Sequence, residues 1–146
     1  MIPEQIHLEV VTPEEAVLTE EVDEVDLPAV EGQIGVRPGH VPLLTSLNIG
    51  EMVVRSEGKE RRFFVVRGFA EILSDTVRVL AQECEGVEDI DIESARADLR
   101  EAERELERLE AKEPAAGEEE LQERYRESLR KNRMRLMMSG DDELDE

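Results

Sequence analysis

The spacing of apolar residues changes near residue 88, and this change restricts the chain to two different structures in succession. Before residue 88, apolar and polar residues alternate in short segments, as at Ile6, Leu8 and Val10, which is the period of a half-buried strand. After it, apolar residues recur along one helical stripe: Leu99, Ala102, Leu106 and Leu109. We therefore predict an N-terminal β domain at residues 1–87 and a C-terminal helical domain at residues 88–146.

The N-terminal part contains at least eight short strand candidates separated by turn signals. Glycine, proline and short polar residues form the separators, as in Pro38-Gly39, Glu57-Gly58 and Ser74-Asp75. Short strands at this spacing predict an antiparallel sandwich or a flattened barrel. A domain of this size can enclose one modest hydrophobic core.

The C-terminal part predicts an αα-hairpin, two helices joined by a short loop. Asp91 or Asp89 is placed to cap the first helix, and Pro114 and Gly117 end it. A second helix is expected from about Glu118 to Met138. Its apolar stripe is less regular: Leu121, Tyr125, Leu129, Met134, Met137 and Met138.

Both helical stripes are narrow, so an isolated hairpin of these helices buries little apolar area. At ~25 cal/mol per Å² of buried apolar surface, such a hairpin is only weakly held. We therefore expect a mobile element that packs either on its own β domain or on a partner. A static hairpin is the alternative.

Acidic residues outnumber basic residues by 38 to 18, which gives a formal net charge of -20. Such a chain repels nucleic-acid phosphates and anionic lipid headgroups, so neither is an expected partner. A source at high salt, where self-repulsion is screened, is one explanation of the acidity. No segment approaches the ~20 apolar residues of a transmembrane helix, and no signal peptide is expected, so membrane association is predicted only through a partner.

The sequence lacks the residue patterns that are typical of active sites. Neither His7 nor His40 belongs to a recognisable metal or catalytic pair, and His7 is expected to face solvent from a strand. Carboxylates flank Cys84, which disfavours the reactive thiolate. The phosphate-binding loop and the motifs of zinc proteases and serine hydrolases do not occur. We therefore expect no catalytic residue and no metal site.

Residues 27–44 form a segment that is dense in turn formers and poor in charge, in a chain that is 38% charged. A loop that carries a histidine among apolar residues is a candidate partner-binding surface. A rigid hairpin between two strands is an equally good interpretation from the residues alone.

Within this segment, residues 31–45 read EGQIGVRPGHVPLLT and resemble the EGxxGxxPGHxPLLT signature of one family. That family comprises the epsilon subunits of F-type ATP synthases, which are called delta in mitochondria. Residues 8–13, 66–73 and 77–81 are similar to further strands of the family, in the same order. The resemblance covers nearly the whole chain and implies a ten-stranded antiparallel β-sandwich followed by a C-terminal αα-hairpin, an α+β fold.

The resemblance implies that the sandwich sits at the foot of the central stalk, on the gamma subunit and against the c-ring. The implied interface residues come from the signature: Glu31, Gln33, Pro38, Gly39, His40 and Leu43. Gln33 and His40 are expected to face the c-ring loops. Some relatives have an acidic residue in place of Gln33, so a charge pair is not carried over at this position.

In the family the hairpin is implied to extend into the alpha/beta head and to inhibit ATP hydrolysis. Residues 124–135 contain six basic residues and one Glu, a local charge of +5. A solvated helix face is the ordinary interpretation of such a run. We hypothesise that it instead docks on an acidic loop of the head, through Arg124, Arg126, Arg130, Lys131 and Arg133. The acidic tail at residues 141–146 is a candidate intrachain competitor.

Some bacterial members of the family bind regulatory ATP through a motif at the start of the first helix. Residues 92–97 read IESARA and match that motif with Glu93 in place of an aspartate. The resemblance implies a site formed by Glu93, Arg96, Arg124 and Arg126. Glu103 stands where nucleotide-binding relatives have an arginine. No other cofactor is expected.

The resemblance therefore implies a non-catalytic rotor subunit of the proton-translocating F-type ATP synthase, which couples proton flow to ATP synthesis. Its expected partners are the gamma subunit, the c-ring and the alpha/beta head. Its expected location is the cytoplasmic face of the bacterial inner membrane, as a peripheral protein. The alternative is a freestanding acidic interaction or adaptor module with a soluble partner.

Overall fold

The computed structural model describes residues 4–113 and 115–140. The chain divides into two compact units, Met1–Val87 and Glu88–Glu146. Eight strands form the first unit: β1 (Ile6–Val11), β2 (Ala16–Val22), β3 (Glu24–Ala29), β4 (Gly32–Val36), β5 (Leu43–Leu47), β6 (Gly50–Ser56), β7 (Lys59–Leu73) and β8 (Thr76–Gly86). A 3-10 turn (Val87–Asp89) precedes helices α1 (Ile92–Glu110) and α2 (Glu118–Met138). The predicted fold class is confirmed.

The strands are ordered β2-β1-β8-β7-β5-β3-β4, and β6 pairs with both β3 and β7. All pairs are antiparallel except β1 with β8, which run parallel. The alternation predicted for β1 is present, because Ile6, Leu8 and Val10 are buried while His7 and Glu9 are only partly buried. These three residues join the core of the sandwich with aliphatic residues from the other strands, among them Val25, Leu27, Val54, Val65, Ile72 and Val79.

The described residues form eight strands where the family resemblance implies ten. β7 is 15 residues long and pairs with β6 through its first half and with β5 through its second half. Between the halves Arg67 has a φ of 42°, and the pairing with β8 passes from Val66–Glu83 to Gly68–Ala81 with no change of register. Division of β7 and of its partner β8 at this irregularity would give ten strands.

Gly68 permits this backbone irregularity. A Cβ built on Gly68 would lie 1.9 Å from the carbonyl oxygen of Leu80, and the φ of Gly68 is +129°. Both the close approach and the dihedral exclude larger residues. This irregularity therefore lies at the point where β7 changes its partner strand from β6 to β5.

Asp91 caps α1, since its side chain accepts a hydrogen bond from the backbone N–H of Ser94 at 3.0 Å. The predicted apolar stripe of α1 is buried, and so is Ala95 one turn before it. The stripe consists of Leu99, Ala102, Leu106 and Leu109. Ala95 and Leu99 pack with Leu136 and Leu129 of α2, which confirms an antiparallel hairpin. Neither α1 nor α2 contains a stretch long and apolar enough to cross a bilayer.

The predicted α2 stripe is partly wrong. Leu121, Tyr125 and Leu129 are only half-buried, and Met137 is 60% exposed. Two amide side chains are more deeply buried, Gln122 and Asn132. Gln122 donates to the carbonyl of Leu109, and Asn132 donates to the carbonyl of Ser128 at 2.8 Å. The hydrogen bonds offset the cost of burying these amides, which hydrophobic periodicity does not register.

Candidate partner-binding surfaces

The signature segment, residues 31–45, contains β4, the loop that follows it and the first residues of β5. The backbone N–H of Gly39 donates to Oδ1 of Asp75, in the β7–β8 turn, at 2.7 Å. The backbone N–H of His40 donates to the carbonyl of Arg37, and its Nδ1 donates to the carbonyl of Val41 at 2.6 Å. The loop is therefore tied both to a neighbouring turn and to itself.

The loop presents apolar side chains to solvent. Val41 is 70% exposed and Leu44 is 69% exposed, and Leu43 is also exposed. Pro38 and His40 are half-buried beside them. Exposed aliphatic residues on a tethered loop are typical of a surface that a partner covers.

The predicted interface residues do not form one cluster. Glu31 and Gln33 lie at the first end of β4, where the Gln33 side chain donates to the carbonyl of Glu51 at 3.2 Å. The other four residues lie beyond its second end. A strand of five residues spans about 16 Å, so the set extends along one strand length and does not converge on one point.

A second surface was not predicted from the sequence. Val11, Phe69 and Leu80 are neighbours on adjacent strands β1, β7 and β8, with Leu80 paired to both of the others. Phe69 is 55% exposed and Leu80 is 56% exposed. We call these three residues the apolar row. They line a shallow depression of about 390 Å³ together with Thr12, Pro13, Gly68, Ala81 and Gln82.

The sequence contains a signal for the apolar row. Val79, Leu80 and Ala81 are three consecutive apolar residues in a strand, so both faces of β8 are apolar there. The adjacent outward positions are charged instead. Arg78 lies 3.2 Å from Glu9 and 3.6 Å from Glu71.

His7 lies on β1 between two carboxylates. Its Nδ1 is 2.5 Å from Glu21 and its Nε2 is 3.1 Å from Glu9. Hydrogen bonds to Glu21 and then to Glu9 raise the pKa of His7 above its usual value. The pKa of Glu9 is lowered in return, by His7 first and by Arg78 second. These side chains are accessible to solvent and connect β1 to β2 and β8.

The basic residues of α2 divide into two rows. At 100° per residue, Arg126, Arg130 and Arg133 fall within about 60° of one another around the helix axis. We call them the first cation row, and the second cation row is Arg124, Lys131 and Arg135. The rows lie about 150° apart, on either side of the face that buries Gln122, Asn132 and Leu136.

Acidic neighbours contact the first cation row. Arg126 lies 3.5 Å from Glu110 of α1 and 3.7 Å from Glu123, and Arg130 lies 3.3 Å from Glu123. In the second row, Arg124 borders a pocket of about 210 Å³ with Asp98, Glu101 and Ser128. The acidic tail at residues 141–146, a candidate competitor for these cations, lies outside the described residues.

The four residues of the predicted ATP site are spread along the hairpin. Glu93 and Arg96 lie in the first turns of α1, whereas Arg124 and Arg126 follow Gln122 in α2, and Gln122 contacts the carbonyl of Leu109 near the other end of α1. At 1.5 Å per residue, the antiparallel pairing places Arg124 and Arg126 about 17 and 14 Å from Arg96 along the helix axis. ATP binding therefore stays a prediction.

Cys84 is half-buried, and burial, with a smaller contribution from Glu85, raises the pKa of its thiol to about 11. The thiol is therefore protonated at neutral pH, so Cys84 is a poor nucleophile. In residues 4–113 and 115–140, no group of three or more His, Cys, Asp or Glu side chains is arranged to hold a metal ion.

Comparison with known proteins gives consistent matches. Residues 5–87 match the model of the family described as ATP synthase, Delta/Epsilon chain, beta-sandwich domain. The ATP synthase epsilon chain of Nitratidesulfovibrio vulgaris strain DP4 is 45% identical over 107 residues, which cover 73% of this chain and 80% of that protein. The ATP synthase epsilon chain of Solibacter usitatus is 46% identical over 104 residues, which cover 71% and 78%.

A solved structure is also similar. It is a chain of the OSCP, F1 and c-ring assembly of the mitochondrial ATP synthase of Euglena gracilis. The TM-score is 0.66 at 25% identity, and the match covers 97% of this chain and 81% of the other. The likeness extends beyond the β-sandwich, because 97% coverage includes both helices of the hairpin.

Proposed function

Because this chain belongs to the ATP synthase delta/epsilon-chain family, we propose that it is a rotor subunit of the central stalk that catalyses no reaction itself. It links the gamma subunit to the c-ring and so couples proton flow to ATP synthesis. The observation that carries the proposal is the anchored signature loop, in a domain that matches the family over residues 5–87.

The signature loop meets the c-ring. The Gly39–Asp75 hydrogen bond holds the loop in place while Val41 and Leu44 are exposed for contact with the loops of the ring. A loop that is ordered before binding loses less conformational entropy on docking. Glu31, Gln33, Pro38, Gly39, His40 and Leu43 contribute to the c-ring and gamma interface.

The apolar row binds the gamma subunit. In a chain with a net charge of -20, an outward-facing Phe69 and Leu80 beside a depression offer an anchor site for apolar side chains of a partner. The ion pairs of Arg78 with Glu9 and Glu71 flank this site and supply the polar rim typical of protein interfaces.

The hairpin acts as a brake on ATP hydrolysis. In its extended state α2 enters the alpha/beta head, where its cations meet acidic residues of the catalytic subunits. The first cation row supports this role, because Arg126, Arg130 and Arg133 share one side of α2 with the exposed Met137. Three cations on one face favour rapid association with an acidic surface.

The chain reaches the membrane only as part of the ATP synthase complex. It lies at the cytoplasmic face of the bacterial inner membrane as a peripheral subunit, through its contacts with gamma and the c-ring. This arrangement is compatible with the acidic charge, which disfavours direct contact with anionic lipids.

Binding of the purified full-length chain to a gamma-containing alpha-beta head tests the proposal. We expect a stoichiometric complex on size-exclusion chromatography, with no complex when gamma is omitted. A chain that fails to bind the gamma-containing head would instead support the freestanding adaptor module. Equal binding with and without gamma would exclude gamma as the anchor.

A further inference from the structure

Four residues near the loop end of the hairpin connect α1 to α2. The Gln122 side chain donates to the carbonyl of Leu109 at 3.3 Å, and Arg126 donates to the side-chain oxygen of Gln122 at 3.4 Å. Arg126 also lies 3.5 Å from Glu110. Leu109 and Glu110 are consecutive in α1, and Gln122 and Arg126 are one turn apart in α2. We call these four residues the latch.

The latch fixes the position of Arg126 only while α1 and α2 are together. Gln122 is 7% exposed, so its bond to Leu109 lies inside the hairpin interface. Glu123, the other carboxylate near Arg126, lies on α2 and moves with it. Glu110 is therefore the latch carboxylate that Arg126 loses when the helices separate.

Arg126 is the first member of the first cation row. The row continues with Arg130 and with Arg133, whose exposed side chain makes no hydrogen bond or ion pair with the described residues. Met137 extends it by one turn. In the closed hairpin, Glu110 of α1 therefore neutralises Arg126, whereas Arg133 is available to a partner.

We propose that Glu110 is an intrachain competitor that masks Arg126 in the closed hairpin, so that an acidic surface of a partner binds the full cation row only after α1 and α2 separate. The proposal rests on the proposed function, in which that surface belongs to the alpha/beta head. The acidic surface replaces Glu110 as the counter-charge of Arg126, and hairpin opening and head binding are therefore coupled.

Glu110 and a carboxylate of the partner compete for Arg126 with similar, small interaction energies. Arg126 and Glu110 have side chains that are 44% and 55% exposed, so water screens their attraction. Ion pairs of this kind contribute little each, which makes exchange of one carboxylate for another easy. Loss of Glu110 should therefore strengthen binding by about two- to fivefold, not by orders of magnitude.

Glu103 offers a matched control for Glu110. It lies seven residues earlier in α1, within about 20° of the same side of the helix. Its side chain is exposed and makes no ion pair or hydrogen bond with residues 4–113 and 115–140. The Glu110→Gln and Glu103→Gln variants make the same change in net charge, so only the contact with Arg126 differs.

The first experiment measures the chain concentration that half-maximally inhibits hydrolysis by the alpha-beta-gamma head. We expect Glu110→Gln to lower it about two- to fivefold, and Glu103→Gln to leave it nearly unchanged. In an Arg126→Gln background, Glu110→Gln should have no further effect, because the pair is already broken. Equal values for Glu110→Gln and Glu103→Gln would overturn the masking role while the proposed function stands.

A second readout does not require the head. Binding of an oligoglutamate peptide to the full-length chain at low salt should tighten in Glu110→Gln and not in Glu103→Gln. If the chain fails to inhibit the head, this titration still decides whether Glu110 masks Arg126. An unchanged peptide affinity in Glu110→Gln would contradict the masking role even if the chain proves to be the stalk subunit.

Discussion

Asp75 accepts a hydrogen bond from the backbone N–H of Gly39 at 2.7 Å, although 36 positions separate the two residues. Asp75 has a φ of 60° in the β7–β8 turn, and its own carbonyl accepts from the backbone N–H of His7. Asp75 thus forms hydrogen bonds both to the start of β1 and to the tip of the signature loop. The signature loop is therefore positioned by strands far from it in sequence.

Replacement of Asp75 by alanine should loosen the signature loop. The lost charge-assisted hydrogen bond and the left-handed φ predict a loss of about 1–2 kcal/mol in the free energy of unfolding. Affinity for the gamma–c-ring subcomplex should fall several-fold. Asp75→Asn is the control, because asparagine retains an acceptor oxygen and tolerates the dihedral. Urea unfolding and binding titrations measure the two effects, and equal behaviour of both variants would refute the anchoring role.

Replacement of Phe69 or Leu80 by serine should weaken binding to gamma. Both side chains are more than half exposed, so the free energy of unfolding should change by less than about 1 kcal/mol. Binding should weaken about tenfold or more if the apolar row is the anchor. Leu73→Ser is the control, since Leu73 also faces outward from β7 and is 50% exposed but does not line the depression. A similar loss in all three variants would exclude a specific anchor.

Stability should depend on the protonation of His7. Its folded-state pKa is raised by Glu21 and Glu9, so its contribution is fully present below the unfolded pKa of about 6.5. The contribution is lost as pH rises through the folded pKa. The urea midpoint of the natural chain should therefore exceed that of His7→Gln in acid, and the difference should shrink in alkali. A difference that grows with pH would contradict the ion pairs.

The two cation rows of α2 allow a comparison of two variants that have the same net charge. Reversal of Arg126, Arg130 and Arg133 to glutamate should relieve inhibition of the head. Reversal of the second cation row, Arg124, Lys131 and Arg135, makes the same change in net charge and should relieve it less. Hydrolysis assays at low salt measure both. Equal relief would mean that net charge, and not the first row, determines docking, and no relief in either variant would remove α2 cations from the mechanism.

The local parts of the fold were predictable from the sequence. The stripe from Leu99 to Leu109 is buried as expected, because helical periodicity depends only on neighbouring residues. The pairing of β1 with β8 and the Gly39–Asp75 bond were not predictable, since they join distant segments. The burial of Gln122 and Asn132 was missed because their hydrogen bonds compensate for polarity.

The candidate sites likewise include parts that contiguous residues predict and parts that depend on contacts between distant segments. The signature segment predicted a docking loop because its residues are contiguous, and that role stays a prediction. The apolar row joins three strands and emerged only with the sheet register. The cations of α2 were visible as a charged run. Their separation into two rows follows from helix geometry, but the contact of Arg126 with Glu110 depends on how α1 and α2 pair.

ATP hydrolysis by the alpha-beta-gamma head, with the full-length chain and with a chain that ends at Val87, tests the central claim most directly. The truncated chain retains the β unit that matches the family. We predict that both chains bind the head and that only the full-length chain slows hydrolysis. Failure of both chains to bind a gamma-containing head would contradict the assignment of this chain to the central stalk.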